Sequence, residues 1–303
     1  MKGLHNLGNT CYLNAALQVL LFTPPLSNYV LSGLAEKDLF KKRLNACALA
    51  REYIALCNAY WGSKEPAVVD TRGVHTALSK IHRTFANSQP HDAHEAWALV
   101  VKHLHDAFTT KKVKSLASGQ ADTAAWDAHS AASGNSMLVE MFQGQMENTI
   151  TAPGGVTSVT HEHFTGLSLD LDSAPPGVPQ ALARTLDPVQ IEGYKLPNGD
   201  TVTATQTKAI KYMPLILMMH LKRFHGSGEK NGKFVDYSTG LDLGPLGMYT
   251  LFGVIFHHDG HYTAACEVRD QWYLCDDAVV TKIPVNSVVQ KDAYVLLYKR
   301  KNV

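Results

Sequence analysis

The chain has 303 residues, with 28 Lys and Arg against 27 Asp and Glu for a formal net charge of +1, and 45% of it is hydrophobic. That length can bury a substantial core, and the even charge balance supplies no bulk field for nucleic acid or an anionic membrane. The strongest apolar runs, LQVLLF and YMPLILMMHL, are too short to span a bilayer, and no charged-then-apolar leader follows Met1, so the expectation is an intracellular protein without a membrane span.

From Cys11 to Phe108 apolar residues recur at helical spacing, first Leu17, Leu20 and Leu21, then Tyr53, Ile54 and Cys57, then Ala96, Leu99, Val100 and Leu104. Pro24-Pro25 and Pro66 punctuate these helices. The stretch Ser115 to Ser136 is small and polar with little to bury, and reads as a connector or mobile loop. Beyond it the period changes to two, in Phe164, Leu167, Leu169 and Leu171, again in Leu215, Leu217, Met219 and Leu221, then in LFGVIFHH, HYTAACEV, WYLCDD and AYVLLYKR. Short Gly, Asp and Pro gaps favour antiparallel pairing. The expected fold class is α+β, a helical lobe followed by a sheet lobe with a site in the cleft between them.

The five cysteines are odd in number and scattered, which suits a reducing compartment. Cys47, Cys57 and Cys266 sit within periodic apolar segments and read as small buried hydrophobes. Cys11 differs because it precedes a helix, where the dipole and unpaired N–H groups favour a thiolate. A thiol attacking a carbonyl needs a base, and the base needs an acceptor to orient it. His261 opens one strand and Asp276 ends the next, so adjacent strands bring them together as base and acceptor, while Gly260 allows close approach of backbone or substrate.

The segments GLHNLGNTCYLNAALQ (3–18), PHDAHE (90–95), HLKRF (220–224), GHYTA (260–264), the Asp276-Asp277 pair and AYVLLYKR (293–300) resemble, in order, blocks of the ubiquitin-specific proteases. The resemblance implies a papain-like cysteine protease shaped as a hand, with a helical thumb, an antiparallel β palm and a β fingers extension. It assigns Cys11 as nucleophile, His261 as base and then acid, Asp276 as orienting residue, Asn6 as oxyanion donor and Asp277 as an auxiliary in that role. Ubiquitin ends in Leu-Arg-Leu-Arg-Gly-Gly. Asp92 and Glu95, one helical turn apart, match the family's acidic positions for the tail arginines, and Tyr262 and Gly260 border the glycine channel. Tyr294 reads equally as a channel aromatic or as core, His220 and Phe224 as structural, and Lys222 and Arg223 as a solvated strand face.

Many relatives build a fingertip zinc site from two C-x2-C pairs, and this sequence has none. A Pro-Asn-Gly-Asp hairpin signal stands in one of those places, and His161 and His163 read as surface residues, so no metal and no cofactor are expected. Pro90 replaces the family's usual Gln, and the HHDGHY loop is shorter than usual. The expectation is a single catalytic domain over 1–303, about 1–132 forming the thumb and 133–303 the palm and fingers, with no appended domain. Its expected activity is thiol-dependent removal of ubiquitin from proteins in the cytoplasm or nucleus. Its partners are ubiquitin or ubiquitinated proteins rather than nucleic acid or membrane, and the chain is expected to be monomeric. A protease for a ubiquitin-like modifier and a catalytically silent ubiquitin-binding module are the alternatives.

Overall fold

Two apolar clusters, one on each side of a central sheet, organise the molecule, which we describe from a computed structural model over residues 1–39, 47–62, 65–109, 122–171, 177–224 and 229–301. A short parallel pair, β1 (Gly3–Leu4) with β2 (Val68–Val69), ties the N-terminus to the helical lobe. That lobe contains α1 (Cys11–Leu21), α2 (Pro24–Leu31), α3 (Leu34–Leu39), α4 (Ala48–Trp61), α5 (Arg72–Ile81) and α6 (Ala93–Phe108). Every residue of α1 is buried, as befits a helix apolar on nearly all sides. Its two amides are bonded, Gln18 to the Lys2 carbonyl and Asn14 to groups near the site described below. Pro24 and Pro25 open α2, where a missing N–H has no helical partner to lose. Among the described residues, no helix is long and apolar enough to cross a membrane.

The segment read as a connector is an element instead. Residues 115–121 of that reading lie outside the described residues, but α7 (Thr123–Ser133) follows, and α8 (Met137–Phe142) comes next. Asp122 caps α7 through the Ala125 N–H. The composition hides the one large apolar residue that anchors it: Trp126 is buried against Val139 and Tyr212.

The β lobe then runs β3 (Gly144–Ala152), β4 (Val156–Phe164), β5 (Leu167–Asp170), a helix α9 (Val178–Thr185), β6 (Val189–Lys195), β7 (Thr201–Tyr212), β8 (Ile216–Lys222), β9 (Gly240–Asp242), β10 (Met248–His258), β11 (His261–Val268), β12 (Gln271–Asp276), β13 (Val279–Ile283) and β14 (Ala293–Arg300). The palm sheet has the order β13-β12-β11-β10-β14-β8-β5, with β9 also paired to β10. It is antiparallel except for the β5–β8 pair. Strands β10 and β14 are buried on both faces, which is why they read as near-continuous apolar runs. Residues 220–224 do not present a solvated face at Arg223. That side chain is fully buried, its Nε donating to the Ala293 carbonyl and its Nη1 to the carbonyls of Asn231 and Lys233, so it fastens a loop to β14.

The fingers are a separate antiparallel sheet, β4-β3-β7-β6. A turn at Pro153–Gly155 joins β3 to β4, and the Pro197-Asn198-Gly199-Asp200 turn joins β6 to β7, closed by the Leu196 N–H to the Asp200 carbonyl. His161 and His163 are not surface residues, because α7 lies beside them. His161 is 14% exposed and lies 3.4 Å from the Glu147 carboxylate, while His163 stacks on His129 with ring centroids 4.0 Å apart.

Burial, then the neighbouring imidazoles, pushes His163 down to about 4. On β8, His220 stacks on His94 with centroids 4.1 Å apart, and burial followed by His94 pushes it to about 4 as well. A histidine depressed in the folded state takes up protons more readily when unfolded. Its stabilisation is therefore complete above about pH 6.5 and is lost as pH falls towards 4, by at most about 1 kcal/mol per unit each once solvent screening is allowed for. Chemical denaturation between pH 7 and 4 should show that decline, and His163→Gln/His220→Gln should flatten it; an unchanged slope would contradict the assignment.

Hairpin turns close both finger strand pairs without thiolates, and a structural zinc site normally supplies folding free energy directly. We expect purified protein to hold no stoichiometric zinc by elemental analysis and a strong chelator to leave the melting temperature unchanged. One tightly held zinc per chain, with melting lowered on its removal, would contradict this.

Candidate active site

The site is assembled where the N-terminal segment crosses the turn between β12 and β13. Asn6 winds the loop that follows it around its side-chain Oδ1, which accepts from the N–H groups of Gly8 and Thr10 and from the Thr10 hydroxyl. Asn9 takes a left-handed conformation (φ 55°), which Asn tolerates, and α1 then begins with Cys11. The Asn6 amide donates to Asp277 Oδ2 at 2.7 Å, and the Asn14 amide to Asp277 Oδ1 at 2.7 Å. The Leu4 N–H also donates to the Asp277 carbonyl. Gly3 is required here, because a Cβ at that position would stand 2.1 Å from the Ala278 carbonyl oxygen.

Asp277 thus locks Asn6 in place. Both of its oxygens are engaged by amides, one from Asn6 and one from Asn14. An amide NH2 has two protons, and the bond to Asp277 uses one of those on Asn6 and leaves the other available.

His261 and Asp276 meet as the strand pattern implies. Ala264 pairs with Cys275 across β11 and β12, which sets His261 and Asp276 diagonally on one sheet face. His261 Nε2 lies 2.7 Å from Asp276 Oδ1, both side chains about half exposed. With the Nε2 proton directed at Asp276, a neutral ring keeps its lone pair on Nδ1. Asp259 (φ 47°) and Gly260 (φ 78°) form the two-residue turn before His261, the Asp-Gly signature of a hairpin with positive φ at both positions. A Cβ on Gly260 would meet nothing within 4 Å, so its conformation, and not a close approach within the chain, calls for glycine.

The expectation of a thiolate favoured at the helix start is overturned. Cys11 is 5% exposed, and burial raises its pKa above the ordinary thiol value. The N–H of Tyr262 pulls the other way, Asp277 adds to the rise, and the N–H groups at the helix start do not offset the total. The remaining cysteines are buried too. Among the described residues, His261, Asp276 and Asp277 are the one group of three ligand-type side chains with donor atoms within 4.8 Å of one another. Their contacts are with each other and with Asn6 and Asn14.

The two acids proposed for the substrate tail have separate duties. Asp92 is the N-cap of α6, one oxygen accepting from the N–H groups of His94 and Glu95 and the other from the Tyr294 hydroxyl. Glu95 is exposed. Tyr262 and Tyr294 are buried, with centroids 5.8 Å apart, and form a floor with His257. Phe224, read from the sequence as structural, is 42% exposed and packs edge-on to His257 and Tyr294. An aromatic beside a buried Arg carries no sequence signal of its own exposure; only the turn of the chain after β8 reveals it.

Asp277 should therefore pull two measurements in opposite directions. Asp277→Ala removes a negative charge that raises the Cys11 pKa, so alkylation by iodoacetamide at neutral pH should quicken severalfold. Loss of the Asn6 lock should meanwhile lower turnover by about tenfold or more. Both rates falling, or neither changing, would contradict the geometry.

The family model described as ubiquitin carboxyl-terminal hydrolase matches residues 2–298. Human ubiquitin carboxyl-terminal hydrolase 17 is 30% identical over 324 residues, covering 99% of this chain and 56% of that protein. The human protein named inactive ubiquitin carboxyl-terminal hydrolase 17-like protein 8 is 31% identical with the same coverage. The chain thus spans little more than half the length of these relatives. Among solved structures, the SAGA DUB module of Ubp8 with Sgf11, Sus1 and Sgf73 bound to monoubiquitin superposes with a TM-score of 0.81 at 23% identity, over 100% of this chain and 70% of that one. The same module bound to ubiquitin aldehyde gives 0.80 at 22%, with the same coverage. These likenesses confirm the hand-shaped α+β fold, and with a match from residue 2 to residue 298 the chain belongs to the ubiquitin carboxyl-terminal hydrolase family.

Proposed function

We propose that the chain is a thiol-dependent deubiquitinase that hydrolyses the bond after the C-terminal glycine of ubiquitin, with residues 1–303 working as one catalytic unit. In this reading about 1–132 form the thumb and 133–303 the palm and fingers. The observation that carries it is the His261–Asp276 pair, with Cys11 beside the N–H of Tyr262, the residue after His261, and Asp277 holding the Asn6 amide. A relative named inactive shares 31% identity, so likeness alone does not decide activity and the residues must.

In this mechanism His261 Nδ1 takes the Cys11 proton as sulfur attacks the glycine carbonyl, and the free Asn6 N–H receives the oxyanion. The imidazolium, held by Asp276, returns the proton to the departing lysine amine. Water, deprotonated by His261, then hydrolyses the thioester. Glu95 attracts the tail arginines, Asp92 supports that edge as the cap, and Phe224 with Tyr262 and Gly260 flanks the channel that admits the glycines. Such an enzyme works inside a eukaryotic cell, in cytoplasm or nucleus, on ubiquitin and ubiquitinated proteins.

A ubiquitin probe with a C-terminal electrophile, run beside equivalent probes for ubiquitin-like modifiers, tests this reading. We expect a covalent adduct at Cys11 with the ubiquitin probe and none with Cys11→Ala. Association without an adduct would mean a silent binding module, and labelling by another modifier alone would reassign the substrate. Glu95→Arg should raise KM for a ubiquitin substrate severalfold and leave a short acyl substrate unaffected, whereas Asp92→Ala should also cost about 1 kcal/mol of stability through the lost cap. Equal losses on both substrates for Glu95→Arg would show that it reads no arginine.

A further inference from the structure

A second depression lies at the opposite ends of the two elements that carry the nucleophile and the base. Cys11 begins α1 and His261 begins β11, and the two elements pack against each other. At the far end, about 15 Å along α1 by helical rise, Leu21 and Phe22 meet Pro24 and Leu31 of α2, Trp61 of α4, and Val268 at the end of β11. They line a groove of about 330 Å³. Its floor is aromatic, Phe22 standing edge-on to Trp61 with centroids 5.4 Å apart. Leu31 on its wall is 44% exposed.

The rim gives the groove a sign. Lys299 is paired with Glu267 at 2.8 Å, which neutralises that corner. Arg269, at the tip of the β11–β12 turn, lines the groove, is exposed, and makes no ion pair among the described residues. An apolar floor with one unpaired cation at its edge, beside the exposed Asp270 in the same turn, complements a large apolar side chain next to a carboxylate.

We propose that this groove docks a segment of a partner protein that places a large apolar side chain on the floor and an acidic residue against Arg269. Its occupation acts on Cys11 and His261 through α1 and β11. Helix α1 is buried along its whole length and ends in the groove wall, so a ligand wedged between Leu21 and Val268 bears on the same α1–β11 packing that carries Cys11 and His261 at its other end. The inference goes beyond the deubiquitinase reading, and neither peptide binding nor thiol alkylation requires turnover, so it stands or falls separately from that reading.

The test uses a short fluorescein-labelled peptide in which Leu and Phe alternate with Glu, and the same peptide with Lys in place of Glu. We expect the acidic peptide to bind in an anisotropy titration, weakening as salt rises, and the lysine peptide not to bind. Arg269→Glu and, separately, Leu31→Asp should each weaken the acidic peptide about tenfold, both being surface changes that leave the core intact. With the peptide bound, the rate at which iodoacetamide alkylates Cys11 should change by about threefold or more. Equal binding of both peptides, binding indifferent to Arg269→Glu, or an unaltered alkylation rate at saturation would overturn the proposal. So would a dimer in sedimentation that Arg269→Glu dissolves, since the groove would then belong to a second copy of the chain.

Discussion

The bridge made by Asp277, with Asn6 on one oxygen and Asn14 on the other, is the constraint on which the site depends. It joins the N-terminal segment and the first turns of α1 to the β12–β13 turn, which lies more than 260 residues further along the chain. The Leu4 N–H to the Asp277 carbonyl reinforces it, and the absence of a side chain at Gly3 lets the two backbones come that close. Charge-assisted amide bonds of this kind are among the stronger polar contacts, and here they fix one amide proton of Asn6 and thereby the direction of the other. The cost is electrostatic. The same carboxylate raises the pKa of Cys11, on top of the larger effect of burial. The contact that fixes the Asn6 amide is thus also one that disfavours a thiolate at Cys11.

The palm makes this arrangement rigid. Both faces of the central sheet are buried, α1 on one side and α9 with the 229–243 segment on the other, so β11 and β12 have little freedom to shear. His261 and Asp276 then need only their diagonal placement across two strands to meet. Their own hydrogen bond is half exposed and contributes little to stability; its value is orientation. Asp92 shows the same economy at the thumb, where one carboxylate caps α6 and ties it to Tyr294 on the last strand, joining the lobes beside the floor of the channel.

How much of this the sequence discloses depends on whether the governing physics is local. The period-two runs, the Asp259-Gly260 turn and the Pro197–Asp200 hairpin are local signals, and each forms as its residues dictate. The meeting of His261 with Asp276 follows from strand adjacency, which is nearly local. What stays hidden is set by tertiary contact. Nothing in the spacing around Cys11 shows that desolvation will exceed the helix-start N–H groups, because that depends on β11 lying over it. Arg223 looks like half of an exposed Lys-Arg pair until the Ala293 carbonyl of β14 and the carbonyls of Asn231 and Lys233 are brought to it. Trp126 is the one large apolar residue on α7, too sparse for a periodicity argument, and Val139, Tyr212 and His163 give it a reason to order a helix.

A double-mutant cycle on turnover, comparing Asn6→Ala, Asp277→Ala and the double variant, tests the central claim most directly. If Asp277 acts only by holding the Asn6 amide towards the oxyanion, the two changes overlap, and the double variant should be scarcely worse than Asn6→Ala alone. Losses that multiply would show that Asp277 serves catalysis by a route of its own and would contradict the account.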